Sequence, residues 1–327
     1  MSSILTRCPT DRPLTRRGVL IGFGSASLVW LVGCSDDSPG LGVGAAGATR
    51  SVETAHGPVN VPLAPARVVC TDFYSAYALL DVGFSPVATA EATVGGVLPS
   101  QQAAYDALPK VGKTTELKYE SVAALRPDLI LGTQVPGLAQ DIHDKLSAIA
   151  PTVLFAAGSP GDWKARATKA ADVVGRRVEG ESLARAYDDR VSEMKTTYAQ
   201  PLQQLTWALF RATSAGLAFI DGPTSWSGVV LADLGAKLTA AAPTDKPTME
   251  ISAERYDALG DCDVVLYLAN ARGQTDPSTA AVIEQSYFKR AVGANARTVP
   301  LSSYYAAHYL DGQAVLDQIE KVILEAA

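Results

Sequence analysis

The chain has 327 residues with a formal net charge of −6, and 47% of its residues are hydrophobic while 19% are charged. This composition is typical of a globular protein, long enough for two lobes with a core each, and it excludes a disordered chain. The acidic balance argues against nucleic acid as a partner, because nucleic-acid binding requires basic surface.

The first 50 residues predict an export leader followed by a flexible tether. Arg16 and Arg17 precede an uncharged, apolar and small-residue-rich stretch that ends in Leu31-Val32-Gly33-Cys34, which looks like a twin-arginine leader with a lipobox. That stretch is short for a spanning helix, which needs about 20 apolar residues. We expect removal of residues 1–33, lipidation of Cys34 and a Gly/Ala/Ser-rich linker over 34–50. The general export pathway and an uncleaved signal anchor are the alternatives.

Removal of the leader changes both the charge and the cysteine count. Four arginines and one aspartate leave with residues 1–33, so the formal charge falls from −6 to −9. Of the four cysteines, Cys8 lies in the leader and Cys34 is the predicted lipid site. Cys70 and Cys262 each lie beside an apolar strand, and we interpret both as buried free thiols. An exported location would permit a disulfide without requiring one.

The rest of the chain alternates short apolar runs with segments of helical spacing. Strands are predicted at 67–71, 86–89, 129–131, 152–155, 206–210, 216–220, 264–267 and 298–301. Helices are predicted at 75–80, 119–125, 137–149, 162–174, 179–198, 225–234 and 310–326, with Ser75 as one N-cap and Thr224 or Ser225 as another. Residues 91–102 are a predicted loop, and so is the segment from Val111 to the start of the helix at Tyr119. Strands that alternate with helices indicate parallel sheets covered on both faces.

One pattern occurs in both halves: an acidic residue, a short helix, an aspartate and then an apolar strand. The first copy runs from Glu120 to Asp128 and Leu129-Ile130-Leu131, and the second runs from Glu254 to Asp263 and the strand after it. The repetition predicts two similar α/β lobes, at 51–178 and 200–327. Each lobe should have a mainly parallel sheet flanked by helices.

A single long helix is predicted between the two lobes. The segment 179–199 has no proline, and no glycine after Gly180. As a helix it would span roughly 30 Å. We therefore expect one α-helix, rather than several crossing strands, to join the lobes.

Three motifs carry a resemblance to a known family. Residues 120–130 read E-S-V-A-A-L-R-P-D-L-I, residues 146–153 read L-S-A-I-A-P-T-V, and residues 251–254 read I-S-A-E. Their order and spacing resemble the substrate-binding proteins of iron–siderophore ABC importers, whose relatives carry cobalamin or haem. The resemblance implies a monomeric, non-enzymatic lipoprotein on the outer face of the cell membrane. Its ligand would be a ferric siderophore and its partner an ABC permease, with no cofactor and no metal bound by protein side chains.

Ligands of open α/β sheets bind outside the carboxyl ends of the strands, so polar and aromatic residues just after strands are the candidate contacts. They are Phe73, Tyr74, Gln134 and Trp163 in the first half and Arg211, Trp226, Tyr304, Tyr305 and His308 in the second. Aromatic rings stack on planar ligands, and arginine pairs with anionic oxygens. Arg211 is the strongest candidate, because it ends an apolar strand, although the motif around it matches the family only in part.

Each candidate also has a purely structural interpretation. Arg211 could be a surface arginine at a turn, Trp226 could pack in the core, and His308 could be a hydrogen-bonded structural histidine. Tyr304 and Tyr305 are adjacent in extended chain, so only one of them should face the cleft.

The resemblance assigns two further acids, Glu120 and Glu254, to docking on arginines of the permease. The alternative interpretation is that each residue is an ordinary acid in the first turn of a helix, where the helix dipole favours a carboxylate.

Functions of other classes find little support in the sequence. A secreted hydrolase would need a nucleophile with a base, yet the chain has no G-x-S-x-G motif and only three histidines. A phosphate-binding loop and a His/carboxylate cluster for a bare metal ion are missing from the sequence as well. A hydrolase, a protein-interaction module, and haem or cobalamin binding stay as the alternatives.

Overall fold

The computed structural model describes residues 47–92, 96–134 and 141–326. The predicted leader, Cys34 and most of the predicted linker lie outside the described residues. Within that part of the chain, two lobes each contain a six-stranded sheet, and one long helix joins them. No helix among the described residues has both the length and the apolar composition of a membrane span.

The elements follow one another in the alternating order typical of α/β proteins. The strands are β1 Thr49–Thr54, β2 Gly57–Pro62, β3 Val68–Cys70, β4 Ala88–Glu91, β5 Lys110–Lys113, β6 Glu116–Leu117, β7 Leu129–Gln134, β8 Thr152–Ala156, β9 Thr206–Ala212, β10 Ala218–Asp221, β11 Lys237–Leu238, β12 Thr248–Ile251, β13 Val264–Leu268 and β14 Arg297–Leu301. The α-helices are α1 Phe73–Asp81, α2 Gln102–Asp106, α3 Tyr119–Ala124, α4 Ile142–Ser147, α5 Trp163–Val173, α6 Arg177–Thr197, α7 Ala199–Gln204, α8 Gly228–Asp233, α9 Pro277–Ile283, α10 Ser286–Val292 and α11 Tyr309–Ala326. Short 3-10 helices cover Pro160–Asp162 and Ala253–Leu259.

The first-lobe sheet has the order β6-β5-β4-β3-β7-β8, and within the described residues all its pairings are parallel except that of β5 with β6. Strand β7, which lies between β3 and β8, is fully buried at Leu129, Ile130 and Leu131. Leu129 and Leu131 pack into one core and Ile130 into another, because alternate residues of a strand point to opposite faces of the sheet. The unbroken apolar run therefore reflects burial on both faces, as the sequence predicted.

The second-lobe sheet has the order β12-β10-β9-β13-β14, with β11 also pairing with β9. The pairings of β9 with β11 and β13, and of β13 with β14, are parallel, while β10 is antiparallel to both of its neighbours. The carboxyl ends of β9, β13 and β14 therefore meet at one edge of the sheet.

An aspartate just before a buried strand, β7 in the first lobe and β13 in the second, plays the same role in both lobes. Asp128 accepts the backbone N–H groups of Ala66 (2.7 Å) and Arg67 (2.8 Å), just before β3. Asp263 accepts the backbone N–H of Thr206 (2.8 Å), the first residue of β9. Each carboxylate thus ties the start of its own strand to the start of the neighbouring strand. This is the physical reason for the aspartate in the repeated sequence pattern.

The joining helix α6 has 21 residues, which corresponds to about 30 Å. It begins two residues earlier and ends two residues earlier than the predicted joining helix 179–199. It buries Gly180, Tyr187, Val191 and Met194 against α5 and α11. The helix is therefore packed along most of its length and does not bridge the lobes through solvent.

Several sequence predictions about local structure are wrong. Asp72, not Ser75, is the N-cap of α1, because its Oδ1 accepts the Ser75 N–H at 2.6 Å. The predicted helix 137–149 is helical at Ile142–Ser147 and ends two residues earlier than predicted, while its residues 137–140 lie outside the described chain. The segment predicted as loop before α3 contains the antiparallel pair β5–β6. Gly112 permits this tight turn with φ of 99°, where a Cβ would lie 2.4 Å from the carbonyl oxygen of Glu116.

An N-terminal hairpin, β1–β2, was not predicted. It starts at Thr49, inside the segment assigned to the linker, and its backbone joins the first lobe through the Ala55 N–H to Leu154 oxygen bond (3.0 Å). Arg50 pairs with Asp172 at the end of α5 (3.0 Å). The alternating exposed and half-buried residues of both strands are the sequence signal that could have revealed it.

The two cysteines within the described residues, Cys70 and Cys262, are buried and free, as predicted. Burial raises the pKa of Cys262 to about 12, and it also raises that of Cys70. Both thiols are therefore protonated at neutral pH and behave as small apolar side chains.

Candidate functional site

A cavity of about 420 Å³ lies at the carboxyl ends of β9 and β13, where the topology of the second lobe places a ligand site. Its polar lining consists mainly of neutral hydroxyl and amide side chains: Thr213, Ser214, Asn270, Gln274, Thr275 and Ser278. Tyr305 forms part of the wall. Gly96 of the first lobe approaches the loop after β13, because a Cβ on Gly96 would lie 3.3 Å from the Cβ of Ala271.

The loop between β13 and α9 is held in shape by its own hydrogen bonds. The Oδ1 of Asn270 accepts the N–H groups of Arg272 and Gln274, both at 3.0 Å. Asp276 caps α9, since its Oδ1 accepts the N–H groups of Ser278 and Thr279, also at 3.0 Å. The cavity is therefore bordered by a preformed loop.

Arg211, the predicted anion-binding residue, directly precedes Ala212 of the cavity wall and is only 8% exposed. It stands opposite Phe219 in the antiparallel pair of β9 and β10, and its guanidinium carbon lies 4.3 Å from the Phe219 ring. Its Nε lies 3.4 Å from Oδ1 of Asp221, a diagonal neighbour on the same sheet face. The arginine is thus already paired with a carboxylate and with an aromatic face.

Asp221 is almost completely buried, at 1% exposure. Burial raises the pKa of Asp221 to about 6, although the neighbouring Arg211 cation acts in the opposite direction. Burial also raises the pKa of Tyr304, whose side chain is 1% exposed. Sequence analysis missed Asp221, because an aspartate before Gly222-Pro223 is typical of a turn.

The aromatic residues of the second lobe divide between the surface and the interior. Tyr305 and Trp226 are partly exposed and meet edge to face with ring centroids 4.9 Å apart, while Tyr304 is buried behind them. Only one tyrosine of the adjacent pair reaches the cavity. The guanidinium of Arg211 lies 5.8 Å from the Trp226 ring and 6.0 Å from the Tyr305 ring. These two rings therefore cover a buried cation.

The first lobe contributes Tyr74, in the first turn of α1. It is partly exposed and lines a small gap between the lobes together with Thr133, Arg166 and Ala307. Burial raises the pKa of Tyr74, and the nearby Asp72 acts in the same direction. Phe73 is 3% exposed and packs against Tyr74, with ring centroids 4.1 Å apart. Phe73 therefore supports Tyr74 from the interior.

Arg166 is a second interlobe arginine that sequence analysis missed. Its guanidinium donates to the carbonyl oxygens of Ser159 and Pro160, each at 3.2 Å. Burial lowers its pKa, while the carboxylates of Asp72 and Asp162 act in the opposite direction. It stands in the first turn of α5, and nothing in the helical pattern distinguishes it from a surface arginine.

Two of the predicted contacts, Trp163 and His308, are fully buried and cannot be reached by a ligand in this structure. The Trp163 Nε1–H donates to the carbonyl oxygen of Trp226 (3.1 Å), which joins the two lobes. The Nδ1 of His308 lies 2.9 Å from Asp81 of the first lobe, and its Nε2 lies 3.0 Å from Asp311. Both residues therefore form hydrogen bonds that connect the two lobes.

Gln134, at the end of β7, is half-buried and shares a hydrogen bond with Nε2 of His56 at 3.1 Å. The His56 ring stacks on His143, with centroids 4.0 Å apart. Gln134 is therefore tied to the N-terminal hairpin and sits immediately before residues 135–140, which lie outside the described chain.

Further contacts hold the lobes together beside the joining helix. The Nζ of Lys164 on α5 lies 2.5 Å from Oδ2 of Asp233 on α8, and the Tyr187 hydroxyl on α6 donates to the same oxygen (2.7 Å). The Gly161 N–H donates to the carbonyl oxygen of Thr224 at 2.9 Å. Side chains of both lobes and of the joining helix thus form one packed interface.

Glu120 and Glu254 lie on short helices that precede β7 and β13, respectively. Glu120 is in the first turn of α3 and Glu254 is in the first turn of the 3-10 helix Ala253–Leu259, and both are exposed. Hydrogen bonds from its own N–H and from Ser252 lower the pKa of Glu254. The equivalent placement of the two acids follows from the repeated pattern in the sequence.

No group of three or more His, Cys, Asp or Glu residues suited to a metal ion occurs in the described ranges.

Comparison with known proteins finds similarity along most of the described chain. A family described as "Periplasmic binding protein" matches residues 68–290. The probable siderophore-binding lipoprotein YfiY of Bacillus subtilis is 33% identical over 198 residues, which is 58% of this chain and 57% of that protein. The Fe(3+) dicitrate-binding periplasmic protein FecB of Escherichia coli is 26% identical over 58% of this chain and 63% of its own length. The aligned part is thus less than two thirds of either relative.

Solved structures match over a larger share of this chain. The siderophore periplasmic binding protein from the fuscachelin gene cluster of Thermobifida fusca is 30% identical with a TM-score of 0.72, covering 81% of this chain and 98% of that chain. Staphylococcus aureus SirA, solved with staphyloferrin B, shares the fold at 21% identity and a TM-score of 0.68, covering 85% of this chain and 99% of its own. The family match and the solved structure with 30% sequence identity together show that this chain belongs to the periplasmic binding protein family.

Proposed function

We propose that this protein is the extracytoplasmic substrate-binding component of an ABC importer and that it captures a ferric siderophore between its lobes. The observation that carries the proposal is the cavity of about 420 Å³ at the carboxyl ends of β9 and β13, in a member of a family of substrate-binding proteins. The names of the relatives, which include siderophore-binding and iron-dicitrate-binding proteins, support it. Residues 1–33 would be the leader, Cys34 the lipid anchor, 34–50 the tether, 51–178 and 200–327 the lobes, and 179–199 the joining segment.

We assign the direct ligand contacts to the partly exposed aromatic residues. Tyr305 and Trp226 would offer ring faces from the second lobe, and Tyr74 would do so from the first. Arg211 would act from below these rings, with its charge balanced by Asp221.

A further group would support those contacts without touching the ligand. Phe73 and Tyr304 would hold the exposed rings in place, and Gln134 would anchor the end of β7. His308 and Trp163 would keep the lobes at a fixed spacing. With so many interlobe contacts, we expect closure on ligand to be a small movement, in contrast to a wide hinge motion.

The direct test is a fluorescence titration of the soluble form that begins at Ser35. Trp163 and Trp207 are fully buried, whereas Trp226 is partly exposed beside Tyr305, so Trp226 should report binding. The ligands are a ferric hydroxamate, a ferric catecholate, a mixed-type ferric siderophore, haem and cobalamin, each beside its metal-free form. We expect saturable quenching by a ferric complex at micromolar or tighter affinity, and loss of most of that signal in Trp226→Phe.

Other outcomes would redirect the proposal. Binding of haem or cobalamin alone would keep the importer role but change the cargo. No binding to any of the five, confirmed by calorimetry, would contradict siderophore capture and favour a protein partner.

The exposed acids Glu120 and Glu254 would dock the loaded protein on its permease. One exposed ion pair contributes only about 0.2–1 kcal/mol, so two acids on separate lobes would set orientation more than affinity. We expect Glu120→Ala/Glu254→Ala to bind ligand normally but to lose most ligand uptake in cells. Asp188→Ala/Asp189→Ala, which removes two exposed acids from α6, is the matched control. Full uptake by the Glu120/Glu254 variant would exclude the docking role.

A further inference from the structure

The cavity of the second lobe carries a negative charge and no positive one. Among the lining residues that the structure describes, Asp276 is the one acidic residue and none is basic, and the other polar groups are hydroxyls and amides. Asp276 uses Oδ1 to cap α9. Arg272 lies in the same loop and is exposed, but it is not part of the lining.

Two arginines near the interlobe surface, the buried Arg211 and the half-buried Arg166, already have carboxylate neighbours. Arg211 pairs with Asp221 at 3.4 Å under the rings of Trp226 and Tyr305. Arg166 donates to two carbonyl oxygens and has Asp72 and Asp162 beside it. No uncompensated buried cation therefore faces the ligand space in the described residues.

We propose that this cavity selects ferric complexes of neutral or positive net charge, the charge class of ferric tris-hydroxamates, and disfavours the triply anionic ferric tris-catecholates. The inference rests on the proposed function and specifies its substrate class. An anionic complex would lose its hydration on entry and would find a carboxylate but no guanidinium among the described lining residues to replace that hydration. A neutral complex loses less hydration and can hydrogen-bond to the hydroxyl and amide lining.

Asp276 is the residue that this proposal makes specificity-determining. Its substitution by asparagine removes the charge but keeps Oδ1, which accepts both N–H groups at the start of α9. Asp276→Asn should therefore fold normally. Asp189→Asn, on the exposed side of α6, makes the same change of net charge away from the cavity and is the matched control.

The experiment is calorimetric titration of the full-length chain in detergent, at one ionic strength, with three ferric complexes. They are a neutral tris-hydroxamate, a tris-hydroxamate that bears a free ammonium group, and a tris-catecholate, each beside its iron-free form. We expect both hydroxamates to bind at least about 100-fold more tightly than the tris-catecholate. Asp276→Asn should lower the affinity for the cationic complex, relative to that for the neutral complex, by roughly three- to tenfold. It should also reduce the ratio between the hydroxamate affinities and the tris-catecholate affinity. Asp189→Asn should change neither ratio.

The outcomes separate this inference from the proposed function. Tighter binding of the tris-catecholate than of either hydroxamate would overturn charge selection while supporting siderophore capture. Unchanged ligand ratios in Asp276→Asn would equally overturn selection by this cavity. Failure of all three ferric complexes to bind would contradict siderophore capture itself and the inference with it.

Discussion

Replacement of His308 by glutamine should strongly destabilise the fold, because it removes a cation that is held between two buried carboxylates. The His308 ring is fully buried between Asp81 of the first lobe and Asp311 of α11, at 2.9 and 3.0 Å. Asp81 also accepts from the Leu310 N–H at 3.2 Å and from the Gln101 amide at 2.7 Å. Without the imidazolium, the two carboxylates stay buried and lose their counter-charge. Breaking a buried ion pair in this way costs about 3–5 kcal/mol.

The pH dependence of this contribution follows from the direction of the pKa shift. Burial alone would lower the pKa of His308, but Asp311 and Asp81 outweigh it and raise the pKa from 6.5 to about 10. A histidine whose folded pKa exceeds its unfolded pKa contributes its full stabilisation below the unfolded value. The contribution then declines as pH rises toward the folded value. Between pH 6 and pH 9 it should fall by about 3 kcal/mol.

The assay is urea unfolding followed by circular dichroism, on the chain from Ser35 and on His308→Gln, at several pH values from 6 to 9. We expect the free energy of unfolding of the two proteins to differ by about 3–5 kcal/mol at pH 6 and to converge as pH rises. His56→Gln, which replaces an exposed histidine whose main contacts are a hydrogen bond to Gln134 and a stacked His143 ring, should cost no more than about 1.5 kcal/mol. A difference below about 1 kcal/mol at pH 6, or one that does not change with pH, would refute the charged triad.

Two further predictions concern the packing between the lobes and the buried carboxylate under the cavity. Burial raises the pKa of Asp221 from 3.8 to about 6, so its contribution to stability is full below pH 3.8 and is lost as pH rises through 6. The unmodified chain should therefore lose about 2 kcal/mol relative to Asp221→Asn between pH 4 and pH 7 in urea unfolding, and parallel pH profiles would contradict this. Gly312→Ala should lower the free energy of unfolding by at least about 1 kcal/mol in the same assay at pH 7. The added Cβ would lie 2.6 Å from Trp163 and 3.0 Å from Tyr187. Unchanged stability would mean that these rings can move aside.

The sequence predicted the architecture because its strongest patterns reflect burial over many residues. Leu129-Ile130-Leu131 is an unbroken apolar run since both faces of its strand are covered. Asp128 and Asp263 recur in the two halves because each fastens the starts of two neighbouring strands. Such signals are local or repeated, so they can be recognised without knowing the fold. The joining helix was predicted for the same reason, within two residues at its start.

Weaker local signals misled the prediction at loops and caps. The pair β5–β6 is four and two residues long, too short for a periodic pattern to be distinguished from a loop. At the start of α1, Asp72 and Ser75 are both common capping residues. Only the backbone geometry, with the Asp72 side chain accepting the Ser75 N–H, decides between them.

The sequence by itself determined the two-lobe α/β fold, the family, and the segment types from which ligand contacts must come. Only the tertiary structure decided which candidates are buried, because exposure depends on residues far apart in sequence. His308 meets Asp81 across 227 positions, and Trp163 meets Trp226 across 63. The same is true of charge: Arg211 looks like a free anion-binding arginine until the antiparallel pairing of β9 and β10 places Asp221 beside it. Long-range pairing of this kind leaves no local pattern, since each partner alone has the sequence context of an ordinary turn or strand end.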